Sequence, residues 1–372
     1  MNKRFRLAAA LSAVALAVAA CGDAPEEDGG DGATGGATDG ATEGGGDFSA
    51  CMVSDQGGIN DRSFNETSYN GLVLAQEEGI IAEPKFAESQ TDADYGPNVD
   101  AMVQDDCGII VTVGFLLADA TREAAEANPE EQFAIVDFQY VDDTGAPAPI
   151  DNVKPLVFNT HEAAFLAGYA SAAHSTTGIV GTWGGAKIPT VTIFMDGFYD
   201  GVQYYNEQKG ADVQVLGWDK ATQEGQFVGD FANTGLARQI SDNLISQGAD
   251  VLHPVAGPLA ESAAIAAQAA GNVAVVWADS DGFESAPDYG DVILTSVLKG
   301  MDQAVLAATQ EAADDAFTNE PYVGTLENGG VGIAPFHDFD STVTQETKDE
   351  LAQIQEQIIS GELVVESDAA FS

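Results

Sequence analysis

From residue 48 to residue 278, short runs of β-branched and apolar residues alternate with stretches of helical periodicity, and the alternation runs through the chain twice. Strands separated by helices pair in parallel and need helices on both faces of the sheet, so the chain must form layered α/β structure. The first set predicts strands at 50–54, 84–88, 108–113 and 133–137. Between them come a helix with Ser63 as N-cap, Glu66 as its capping-box partner and Gly79 as its stop, a helical turn at 98–105, and a helix at 119–127 ended by Asn128-Pro129. A second set opens with a capping box of Asn159 and Glu162 and predicts helices at 161–174, 198–209, 230–247 and 258–271. Its strands are expected at 178–182, 213–218, 250–254 and 273–278. Two such sets imply two similar Rossmann-like lobes, and no shorter repeat points to a solenoid.

Ligands of open α/β sheets bind beyond the carboxyl ends of the strands. Two facing lobes therefore enclose a cleft lined by residues 55–64, 114–115, 137–138, 183–187, 256–257 and 279–281. The same topology bears on the cysteines. With strand order 2-1-3-4 the first and third strands are neighbours, which puts Cys51 and Cys107 within reach of each other at the end away from the cleft. A disulfide there is possible, and so are two thiols.

The amino end carries its own signal. Lys3, Arg4 and Arg6 precede an apolar run at 7–20, too short for a permanent membrane span and ending in small residues. Cys21 follows directly, and Val18-Ala19-Ala20-Cys21 resembles a bacterial lipobox, which implies acylation of Cys21 and removal of residues 1–20. Residues 21–47 are acidic and glycine-rich, without the apolar content a core needs, and read as a disordered tether. With 13 Lys and Arg against 60 Asp and Glu, the net charge is −47, and nothing is left to neutralise phosphates; nucleic-acid binding is not expected.

A search for chemistry returns little. His161-Glu162-Ala163-Ala164-Phe165 lacks the second histidine of a zinc protease helix, and residues 277–282 put Trp where a calcium loop needs its first ligand. Residues 181–187 are glycine-rich but wrongly spaced for a phosphate loop, and no nucleophile has a partnered base. The expectation is a protein without metal or cofactor that is not an enzyme. What remains is a cleft combining ring faces with acceptors: Asp55, Phe64, Asp137, Phe231 and Asp279. Each ring taken alone also fits core packing.

The string Asp55-Gln56-Gly57-Gly58-Ile59-Asn60-Asp61-Arg62-Ser63-Phe64-Asn65 resembles the opening motif of the basic membrane protein family, nucleoside-binding lipoproteins of ABC importers with a type I periplasmic-binding fold. Similar strings follow in order at 162–170, 189–201, 248–257, 295–305 and 327–336. In that family two phenylalanines sandwich the base, carboxylates and an amide hold base and ribose, and a lysine closes the sugar side. The resemblance implies Phe64 as the first ring, Phe231 as the second (with Phe227 and Trp183 as alternatives), and Asp55, Asn65 and Asp137 as polar groups of the first lobe. Gly257, Asp279 and Lys299 fall on the ribose side. Gly282-Phe283 stands where the family usually has Gln, which bears on ligand identity.

The implied organisation is a first lobe at 48–158 with a return at 289–328, and a second lobe at 159–288 with a return at 329–372. The chain would cross between them at Asn159, 283–289 and Gly329-Gly330. The implied function is nucleoside capture, purine nucleosides favoured, by a monomer anchored through Cys21 on the extracytoplasmic face of the membrane and delivering to ABC permease subunits. The same fold binding another small metabolite for transport or sensing, and a surface nucleoside hydrolase, are the competing readings.

Overall fold

In a computed structural model that describes residues 46 and 48–371, two six-stranded sheets lie side by side, each with helices on both faces. The expected signal segment at 1–20, the expected acylation at Cys21 and all of the expected tether but Gly46 fall outside the described residues. The chain runs through β1 (Ala50–Ser54), α1 (Phe64–Glu77), β2 (Lys85–Glu88), α2 (Asp92–Gln104), β3 (Ile109–Val113), α3 (Ala118–Ala127), β4 (Phe133–Val136) and β5 (Val153–Phe158). It continues with α4 (Thr160–His174), β6 (Ile179–Gly184), α5 (Pro189–Lys209), β7 (Gln214–Leu216), and a small hairpin of β8 (Trp218–Asp219) and β9 (Glu224–Gly225). Next come α6 (Thr234–Ser246), β10 (Val251–Val255), α7 (Ala260–Ala270), β11 (Ala274–Asp279), the single turn α8 (Gly282–Ser285) and β12 (Ile293–Lys299). The last elements are α9 (Met301–Ala313), β13 (Tyr322–Gly324), β14 (Val331–Ile333) and α10 (Gln345–Ile359).

The first sheet has the order β13-β5-β4-β3-β1-β2 and is parallel throughout. The second has the order β14-β12-β11-β10-β6-β7, with β14 its antiparallel edge. Every residue of β1, β3, β4, β5, β10 and β11 is buried, as strands covered on both faces must be. Cys51 and Cys107 are joined in a disulfide, with their Cα atoms 5.9 Å apart, where β1 and β3 run side by side.

The chain passes from the first sheet to the second at Asn159, back at Gly300, and across again between Gly324 and Val331. The middle crossing differs from the expected one. Residues 283–289 stay with the second lobe, where α8 and the turn after it pack on α7 and β12. β12 pairs with β11, so the return to the first lobe begins after Lys299 rather than at residue 289. In the first lobe α9 packs against α1.

Several helices also differ from expectation at their ends. α2 starts at Asp92, where the Asp94 carboxylate accepts from the backbone N–H of Thr91, and it tolerates Pro97 within its length. α5 begins at Pro189, whose fixed φ suits a first helical position, and not at Phe198; Val191, Thr192 and Ile193, β-branched and buried, lie within its first turns. α6 begins at Thr234, its N-cap Asn233 accepting from Leu236, so Phe231 precedes the helix instead of starting it. α4 and α5 meet through glycine: a β-carbon on Gly168 or Gly201 would collide with the carbonyl of Phe198 or Phe165.

The caps of α1 and α4 also differ from expectation. Ser63 makes no capping bond to α1. Asp61 caps in its place: its carboxylate accepts from the N–H groups of Ser63, Asn65 and Glu66, each at 3.0 Å. Glu66 accepts from the Arg62 N–H at 2.8 Å. At α4, Asn159 donates its side-chain amide to the Glu162 carboxylate at 2.9 Å instead of accepting from the backbone.

Candidate binding cleft

The carboxyl ends of the two sheets face each other across a cavity walled by residues of both lobes. Asp55, Phe64, Asn65, Asp137, Phe231, Gly257, Asp279 and Lys299 all line it. Trp183 does not; it is fully buried in the core of the second lobe. Phe227 is packed on Trp218, outside the cavity. Residues 183–187, Phe138, Ser280 and Asp281, expected in the cleft, also lie off its wall.

The first lobe contributes Asp55 directly after β1. Gly114, at φ 113°, lies so close to the Asp55 carboxylate that any β-carbon there would clash. Asn65 donates to Asp55 Oδ1 at 3.2 Å from the first turn of α1. Phe64 precedes it, held in place by the Asp61 cap. Burial pushes the Asp55 carboxyl well above its ordinary range, the Asn65 bond opposing and Asp61, Asp137 and Asp279 adding to the rise. Burial also raises Asp61, to about 6, against the three N–H bonds that favour its anion.

Asp137 and Asp279 occupy equivalent places on opposite lobes, each at or just past the end of a strand with φ of 64° and 72°. A side chain in that left-handed region is uncommon and marks a site where geometry outweighs local preference. Both carboxylates converge on Lys299 at the end of β12, at 2.5 Å from Asp137 and 3.6 Å from Asp279. The Lys299 ammonium also lies 5.0 Å from the ring centre of Phe64, 5.7 Å from Phe158 and 5.2 Å from Phe194. Burial alone would lower the Lys299 pKa, but the two carboxylates outweigh burial and hold it above the ordinary lysine value. Burial drives Asp137 upward while Lys299 pulls against it.

Two buried acceptors in the cavity wall have no hydrogen-bond partner, Asn65 Oδ1 and Asp279 Oδ1. Such atoms are rare in folded interiors, and at a cavity wall they await donors from an occupant. The wall thus offers a ring from each lobe, unfilled acceptors, a carboxyl that burial pushes toward its neutral form and one lysine already held by carboxylates. It suits an uncharged, flat molecule bearing hydroxyl or amide hydrogens and repels phosphate. Among the described residues no cluster of His, Cys, Asp and Glu is arranged to hold a metal, and no helix is long and apolar enough to cross a membrane.

Ile188, Thr190, Val191 and Phe194 also line the cavity and were not expected to. All four lie at the start of α5, the turns missed by placing that helix at Phe198. Pro189 was the available signal.

Sequence and structure comparisons agree with this architecture. A family model described as ABC transporter substrate-binding protein, PnrA-like (Bmp), matches residues 48–369. The chain is 30% identical over 342 residues to the CD4+ T-cell-stimulating antigen of Listeria monocytogenes, covering 86% of this chain and 88% of that one. It is 28% identical over 338 residues to a protein of Lactococcus lactis named ABC transporter nucleoside-binding protein BmpA, covering 86% and 90%. Among solved structures, an ABC transporter solute-binding protein from Aeropyrum pernix superposes with a TM-score of 0.76 at 24% identity, over 86% of this chain and 94% of that one. Another from Conexibacter woesei gives 0.63 at 18% identity, over 86% and 98%.

Proposed function

This chain belongs to the Bmp family of PnrA-like ABC transporter substrate-binding proteins, and we propose that its cleft captures nucleosides for import. The observation that carries the reading is the pairing of Phe64 from one lobe with Phe231 from the other on a single cavity wall that also holds Asp279 and Lys299. A nucleoside has a flat base with two π-faces and a ribose rich in hydroxyl hydrogens. Rings suit the base, and the unfilled oxygen of Asp279 suits a ribose hydroxyl. The Lactococcus lactis relative, named as a nucleoside-binding protein, supports the same ligand class. The carboxylate-rich wall favours the free nucleoside over any nucleotide. We read the ligand as held and released unchanged, as a substrate-binding protein of this family requires.

We place the protein outside the cytoplasm, anchored through an acylated Cys21, acting as a monomer that hands its ligand to permease subunits. Labelled fatty acid entering the wild-type chain and absent from Cys21→Ala would support the anchor. The ligand assignment is tested by calorimetry with adenosine, guanosine, inosine, cytidine, uridine, ribose and glucose. Purine nucleosides should bind most tightly and be recovered intact. Binding of sugars alone, or appearance of free base, would refute it.

A further inference from the structure

Arg62 is a non-glycine residue at φ 57°, two positions before the cavity residue Phe64. Its conformation is not required by α1, which Asp61 caps. What the conformation does is aim the Arg62 carbonyl at the opposite lobe. Three second-lobe donors converge on that one oxygen: the Trp277 indole N–H at 3.1 Å, the Ser280 hydroxyl at 2.8 Å and the Ser285 hydroxyl at 3.2 Å. The neighbouring Ser63 hydroxyl, freed from capping duty, donates to Asp279 Oδ2 at 2.8 Å. The Arg62 guanidinium meets Glu261 of α7 at 3.0 Å on the outside.

We infer that the turn of Asp61, Arg62 and Ser63 is a latch that holds the two lobes shut over the cavity, with the Arg62 carbonyl as its bolt and Trp277, Ser280 and Ser285 as its keeper. Strand order supports the placement. The three crossings run beside β5, β13, β12 and β14, at one edge of each sheet, and there the lobes stay joined whatever their angle. The latch follows β1, four strands in from that edge on the first lobe, and its keeper lies in and just after β11, two strands in on the second, so opening the lobes must break it. Lys299 and Asp137 lie nearer the crossings. Asp61 is a positioning residue here: it lines the cavity, yet both its oxygens are occupied by backbone donors, and its cap is what leaves Ser63 free to reach Asp279. Trp277 has a fully buried ring whose N–H has its partner on the other lobe, so it reports on closure.

The test compares wild type with S280A/S285A, S63A and R62G, first without ligand and then with adenosine. Only the adenosine measurement rests on the nucleoside reading. Without ligand, S280A/S285A and S63A should show a larger radius of gyration by X-ray scattering and faster exchange of the Trp277 indole proton. R62G keeps the carbonyl but loses the half-exposed Glu261 ion pair, so its radius of gyration should rise less than that of S280A/S285A. With adenosine, S280A/S285A should release ligand roughly tenfold faster, as expected for two lost hydrogen bonds. Scattering, indole exchange and release all matching wild type in S280A/S285A would overturn the latch. If wild type binds no adenosine, the nucleoside reading fails, and scattering and indole exchange alone decide the latch.

Discussion

Lys299 Nζ lies 2.5 Å from Asp137 Oδ2, an ion pair formed across the two lobes with both side chains almost wholly buried. Breaking one side of such a pair leaves uncompensated buried charge, which costs about 3–5 kcal/mol. Lys299→Met should destabilise by that amount at pH 7.5. The deficit should narrow toward pH 5, because Asp137, already raised by burial, takes up a proton more easily without the ammonium. The lysine itself, held above its ordinary value, stays charged throughout that window. Urea unfolding at both pH values is the measurement, and an equal deficit at both would contradict this account.

Phe64→Ala and Phe231→Ala should each weaken nucleoside binding roughly five- to 150-fold, the equivalent of about 1–3 kcal/mol of stacking. Gly185→Ala offers an independent route to the same ring. A β-carbon there would strike the Phe231 ring and push it from its place. Calorimetry should find G185A weakened while the Phe64 face is untouched. Tight binding by F231A would remove Phe231 from the sandwich.

Asp61 gives a pH signature. Its folded-state pKa is about 6, against an unfolded value of about 3.9. A carboxyl raised on folding contributes its full stability below the unfolded pKa and loses it as pH climbs through the folded one. Relative to Asp61→Asn, wild type should therefore lose about 2 kcal/mol of stability between pH 4 and pH 7. Taking the difference between the two proteins removes the parallel titrations of Asp55 and Asp137. A gap constant across that range would show that Asp61 is not raised.

The Cys51–Cys107 disulfide closes a loop over a sequence separation of 56. Replacing both cysteines with serine should cost about 4 kcal/mol through the freed unfolded chain. Ligand affinity should change little, since the bridge is at the end of β1 and β3 away from the cleft. Denaturation midpoints and calorimetry on the same double variant separate the two effects.

Most of the cleft was legible because its polar residues sit at strand ends, and strand ends follow from hydrophobic runs. Asp55, Asp137 and Asp279 were found that way. Two kinds of information were not local enough to be read. Ser63 has the right spacing to cap α1, but Asp61 has a full carboxylate two residues earlier, and only the second lobe explains why the hydroxyl is needed elsewhere. β12 carries no mark of which sheet it joins; its pairing with β11 decides that, and the middle crossing moved accordingly. The start of α5 was hidden by Val191 and Ile193, whose β-branching reflects burial against α4 and the sheet rather than strand geometry.

The threefold crossing also governs how the protein comes into being. The first lobe lacks α9 over α1 and lacks the edge strand β13 until residue 324 has been synthesised. A nascent chain that has emerged as far as β12 therefore carries a first sheet with one edge unpaired and part of one face bare. No single cut yields a finished lobe, so neither half can be expressed alone as a faithful domain. The two lobes therefore complete their architecture together, only once nearly all of the chain is available.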